Sequence, residues 1–101
     1  MAQFDVYRNP NPESNTVIPY LLDIQTDLLS VLTTCVVVPL TRQENPIKHL
    51  NPLFEINGEN IIMLTQEIAG IERAALGEKI SSLKEYRSKI IPALDFLVSG
   101  F

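Results

Sequence analysis

Four side chains in this 101-residue sequence could do acid-base, nucleophilic or metal chemistry if they were brought together: His49, Cys35, Asp23 and Asp27. His49 is the only histidine and sits between Lys48 and Leu50 in a loop-like stretch, so it reads as a surface side chain. Cys35 opens a run of valines and reads as a small buried hydrophobe, because a reactive thiol needs an electropositive, accessible setting. One histidine and one cysteine at unrelated positions do not make a metal site, which needs several converging ligands. Asp23 on a strand and Asp27 just beyond it need not share a face and read as solvated or turn-forming. Glycines 58, 70, 77 and 100 are scattered, so no phosphate-cradling loop is present. Nothing assembles a nucleophile, a base and an orienting group. The expectation is a protein that binds and does not catalyse, with no cofactor and no metal.

The elements that must position these residues fit in one domain, residues 1–101, with 46 % hydrophobic residues to build a core. A chain this short gains from pairing with a second copy. Eight Lys and Arg against twelve Asp and Glu give a net charge of -4. Neither half carries the clustered cations that displace counterions from a nucleic-acid backbone, so direct nucleic-acid binding is disfavoured. A single cysteine fits a reducing compartment. The opening residues do not read as a signal peptide and no apolar run is long enough to span a membrane, so a soluble cytoplasmic protein is expected.

Phe4, Val6 and Tyr7 predict a short opening strand, cut off by the Pro- and Asn-rich loop from Arg8 to Asn15. That loop is either a hairpin connector or a partner-contact segment. Val17 to Thr26 reads as a strand that tolerates Pro19 near its start. The β-branched run from Cys35 to Leu40 reads as a buried strand. Asn57-Gly58, between Leu53-Phe54-Glu55-Ile56 and Ile61-Ile62-Met63-Leu64, predicts a type I′ hairpin with Phe54 opposite Ile61 and Glu55 opposite Asn60.

Apolar residues at Ile80, Leu83, Ile90, Ile91, Leu94, Leu97 and Val98 predict a terminal helix. Ser82-Leu83-Lys84-Glu85 reads as its capping box, and Pro92 should kink it or break its frame. Strands followed by one helix suggest an antiparallel sheet or small barrel carrying that helix. Gly100 ends the helix and leaves Phe101 last. Phe101 either anchors a protein partner or folds back onto its own core, and the residues alone leave the two balanced.

Gln3-Phe4 with Val6-Tyr7, Asp23-Ile24-Gln25 with Asp27, Val36 to Leu40, Asn51-Pro52, Met63-Leu64-Thr65, and Ala93-Leu94-Asp95-Phe96 with Gly100 form an ordered set spanning the chain. In this set the sequence resembles the CcdB toxins of plasmid and chromosomal toxin-antitoxin modules. The resemblance implies a mainly β fold: an SH3-like antiparallel barrel, a small second sheet, a C-terminal α-helix and a homodimer. It implies a toxin that binds the GyrA subunit of DNA gyrase and traps the enzyme on cleaved DNA. A cognate CcdA-like antitoxin neutralises such a toxin, and the pair represses its own operon with the antitoxin contacting DNA.

By position, the resemblance assigns gyrase binding to Leu28, Leu29, Asp95, Val98, Ser99, Gly100 and Phe101. Arg8, Asn9, Asn11 and Glu13 are the expected antitoxin contacts. Well-known members end in Trp-Gly-Ile where this chain has Ser99-Gly100-Phe101, and Pro92 is a second departure. Two alternatives stand beside the gyrase expectation. One is an mRNA-cleaving toxin of the related MazF and Kid type, with Arg73 and threonines as participants. The other is a homologue that binds its antitoxin but has lost gyrase.

Overall fold

The structure, a computed structural model, describes residues 2–42 and 45–100. Seven antiparallel strands curl into a half-barrel: β1 (Asp5–Arg8), β2 (Tyr20–Asp23), β3 (Thr34–Thr41), β4 (Leu53–Ile56), β5 (Glu59–Met63), β6 (Ala69–Glu72) and β7 (Lys79–Ser82). One helix, α1 (Arg87–Ser99), closes the described chain. The sheet runs in the order β4-β5-β3-β2-β1-β7. β6 branches from β3 and belongs to the same sheet as the other six strands, so the expected small second sheet is not a separate one.

β3 makes the branch possible because it is twice the length of most of its neighbours. One edge pairs with β2, Tyr20 against Leu40 through Asp23 against Val37. The other edge is shared, Thr34 to Val37 facing β6 and Leu40 to Thr41 facing β5. Val6, Leu22, Val38, Leu40, Phe54, Ile56, Ile61 and Met63 on the sheet bury against Ile90 and Ala93 of α1. That burial is the main driving force for closing the helix onto the sheet.

The hairpin is as expected: Phe54 pairs with Ile61 and Glu55 with Asn60, and Asn57 and Gly58 both take positive φ, 51° and 80°. The opening strand and the Cys35–Leu40 run are also in place, each with its ends slightly moved.

Four further expectations are corrected. The strand foreseen from Val17 to Thr26 is confined to Tyr20–Asp23. Upstream, the amides of Val17 and Ile18 turn back to the carbonyl of Ser14; downstream, the Asp23 carboxylate accepts the Gln25 N–H and diverts the chain. Ile80 lies in β7, paired to the opening strand, and so is not helical. The capping box is absent as well: the Ser82 hydroxyl accepts the N–H of Lys84, a short 3-10 turn spans Lys84–Tyr86, and the α-helix begins at Arg87. Pro92 neither ends nor splits α1, which runs continuously through it. A proline there removes a single amide donor, and burial of Ile90 and Ala93 on either side holds the segment to the sheet.

Candidate functional site

Of the four chemistry-bearing residues, Asp23 lies near enough to Cys35 and Asp27 to interact with both, while His49 packs beside Phe96. Cys35 is buried, and desolvation, reinforced by the Asp23 carboxylate, pushes its thiol above the ordinary value. Asp23 is buried too, and desolvation raises its carboxyl pKa against the opposing pull of the Gln25 amide and the Arg73 guanidinium. Asp27 is exposed and accepts the N–H of Gln3 at 2.8 Å. His49 is exposed at positive φ, 71°, with its ring 5.7 Å from that of Phe96. Among the described residues no three His, Cys, Asp or Glu side chains are grouped as a metal site.

The expected partner-binding residues occupy two places. Leu28 and Leu29 sit in a 3-10 turn, Asp27–Leu29, that begins beyond the end of β2 and is capped by Thr26, whose hydroxyl accepts the Leu28 N–H. Leu28 is 89 % exposed and Leu29 44 %. Desolvating two such leucines against a partner would contribute about 2–4 kcal/mol before association costs.

The end of α1 is the second place. Its packed stripe stops at Leu94, and beyond it Val98 is 85 % exposed. Asp95 and Ser99 are exposed, and the Ser99 hydroxyl donates to the Asp95 carbonyl at 2.8 Å. Gly100 takes φ 78° and donates its N–H to the Phe96 carbonyl, a left-handed helix cap that suits glycine. Phe101 lies outside the described residues, as does any decision between its two roles. Beside this end a groove of about 560 Å³ is lined by His49, Pro52, Lys89, Pro92, Phe96 and Gly100.

The N-terminal loop divides its four expected antitoxin residues. Arg8 is exposed and ion-paired to Glu78 at 3.1 Å, and Asn11 and Glu13 are exposed. Asn9 is turned inward, its amide donating to the Ser14 hydroxyl and the Ile18 carbonyl while its oxygen accepts the Asn11 N–H. It therefore shapes the loop that presents the other three.

Two further exposed aliphatics follow the Leu28–Leu29 turn and were not singled out from sequence: Val31, 88 % exposed, and Leu32. The signal was present in the run Leu28-Leu29-Ser30-Val31-Leu32, which offers more apolar surface than a connector needs. Arg73, considered above only for RNA cleavage, donates from Nε to the Leu32 carbonyl at 2.7 Å.

No helix among the described residues is long and apolar enough to cross a membrane. Comparison with curated proteins returned no match. Among solved structures, the chain is similar to one described as an endoribonuclease in complex with its cognate antitoxin from Mycobacterial species. The TM-score is 0.79 at 16 % identity, over 97 % of this chain and 94 % of that one, a likeness of fold. The family model described as CcdB protein matches residues 3–100. With nearly the whole chain matched, and with a half-barrel carrying a C-terminal helix, the chain belongs to the CcdB family of toxin-antitoxin toxins.

Proposed function

We propose that this protein is a toxin that acts by binding the GyrA subunit of DNA gyrase and trapping the enzyme on cleaved DNA. It works as a homodimer and is neutralised by a cognate antitoxin, without catalysing a reaction itself. The observation that carries the reading is the exposure of Leu28 and Val98, 89 % and 85 %, at positions the family resemblance assigns to gyrase. Scattered exposed leucines are ordinary on protein surfaces. Their coincidence with both assigned segments is what gives these two weight.

A symmetric dimer offers each of the two segments twice. Ser99 stands where well-known members have tryptophan, so this copy relies on aliphatic contact at the helix end more than on aromatic stacking. The solved relative named above was determined with its cognate antitoxin, which favours an antitoxin partner for this chain as well. Its description as an endoribonuclease keeps RNA cleavage as the second reading.

Calorimetric titration of the purified protein into the GyrA dimerisation fragment is the direct test, alongside a gyrase assay scored for trapped cleavage complex and an incubation with RNA. Tight binding with accumulated cleaved DNA is expected. Absence of binding together with sequence-specific RNA cuts would replace the gyrase reading with the ribonuclease one.

A further inference from the structure

Every residue from Thr26 to Thr34 is exposed, and this stretch contains four aliphatic side chains: Leu28, Leu29, Val31 and Leu32. Leu28 and Val31 stand almost free and Leu29 and Leu32 are only partly covered, 44 % and 43 % exposed, so apolar packing alone does not hold the stretch in shape. Its anchors are polar and come from both flanks. From just beyond β2, the Gln25 side chain donates to the carbonyls of Thr34 at 3.2 Å and Leu29 at 3.4 Å, while its oxygen accepts the Val36 N–H at 3.1 Å. From the end of β6, Arg73 donates from Nε to the Leu32 carbonyl at 2.7 Å and from Nη2 to the Leu29 carbonyl at 3.5 Å. Its backbone N–H reaches the Thr33 carbonyl at 2.8 Å. Both residues therefore bond the Leu29 carbonyl.

We infer that Arg73 and Gln25 are positioning residues that clamp this segment by its carbonyls, so that Val31 and Leu32 are presented together with Leu28 and Leu29 as one aliphatic docking surface. The contact half of this inference rests on the gyrase reading above; the clamp half does not. A guanidinium suits the task because its fixed fork can hold two carbonyls at once, whereas an ammonium is a point charge on a flexible stem. Holding the backbone by polar groups leaves the apolar side chains outward, and a surface ordered before binding loses less conformational entropy on docking. The benefit belongs in the dissociation rate, since most affinity differences within one interface reside there.

Amide hydrogen exchange and binding kinetics on the full chain separate the two halves. Arg73→Ala and, independently, Gln25→Ala should each speed exchange at the Leu29, Ser30 and Leu32 amides about tenfold or more while leaving the Val38–Leu40 part of β3 unchanged. Dissociation from the GyrA dimerisation fragment should quicken about tenfold, with association little altered. Arg73→Lys should behave like Arg73→Ala, because charge is kept and the fork is lost. Val31→Ser should quicken dissociation without changing exchange.

Unchanged exchange in both alanine variants would overturn the clamp. Faster exchange with unaltered dissociation would overturn its role in docking. If the unaltered chain does not bind the fragment, the gyrase reading fails and the contact role of Val31 and Leu32 fails with it, while exchange still decides the clamp.

Discussion

Gly77 donates its backbone N–H to the carbonyl of Arg8 at 3.0 Å, and a Cβ built on Gly77 would stand 2.6 Å from that same oxygen. The connection between β6 and β7 thus lies directly against the end of β1, at the root of the loop expected to meet the antitoxin. The obstruction is backbone, so no change of rotamer relieves it. Gly77→Ala is expected to cost about 1–3 kcal/mol, the range for overpacking a fitted site. Thermal unfolding checks the magnitude. A variant as stable as the parent would show that the connection yields without strain.

That contact illustrates what the sequence could and could not show. The Asn57-Gly58 hairpin was legible to its register because turn type and pairing are local, and the Cys35–Leu40 strand because its composition is extreme. β6 and β7 were not legible. Ala69-Gly70-Ile71-Glu72 has no alternation to reveal it, and its strand character comes from pairing with the far end of β3. Ile80 fell by chance on the 3.6-residue spacing of the helix it precedes, so periodicity extended α1 too far back. Leu28 and Leu29 came from family position, which says which residues to examine but nothing of what holds them. The carbonyls that Gln25 and Arg73 bond belong to backbone distant in sequence, and no side-chain pattern encodes them.

Tyr7 is buried, and desolvation with the nearby carboxylates of Asp5 and Asp23 pushes its phenol from 10.0 up to about 12. The folded state therefore holds this proton more tightly than the unfolded one. The associated stability is fully present below pH 10 and is lost as pH rises from 10 through about 12, a loss of about 3 kcal/mol for a two-unit gap. Lysines also titrate in that range, so the comparison is with Tyr7→Phe. Urea midpoints measured from pH 9 to 12 should fall less steeply in the variant, and parallel curves would show that Tyr7 is not the group responsible.

Asn51 is buried at the groove beside α1 and ties a loop, the end of β5 and a 3-10 turn together with one amide. Its oxygen accepts the Ile47 N–H at 2.9 Å, and its nitrogen donates to the Met63 carbonyl at 2.9 Å and to the Gln66 side chain at 2.8 Å. Asn51→Ala would leave the part-buried Ile47 amide and the buried Met63 carbonyl without this partner and is expected to cost about 1–3 kcal/mol. Asn51→Asp should cost at least as much, since a carboxylate cannot donate to Met63. Chemical denaturation of both variants tests the ranking.

Leu28 and Val98 should divide stability from function. Each is more than four-fifths exposed and contributes little to the core, so Leu28→Ser and Val98→Ser are expected to change folding stability by no more than about 0.5 kcal/mol. If each inserts into the same partner, each substitution should weaken binding to the GyrA dimerisation fragment by about 1–2 kcal/mol, roughly tenfold. Val17 provides the control: it is 48 % exposed but lies in neither assigned segment, and Val17→Ser should leave binding alone. Losses at Leu28 and Val98 but not at Val17 would identify the partner surface by contact. Equal losses at all three would point to general hydrophobic adhesion and remove the case for a defined site. The double variant adds a further distinction. Additive losses mean two independent contacts on the partner, and a sub-additive loss means that one partner feature, reached across the dimer, engages both.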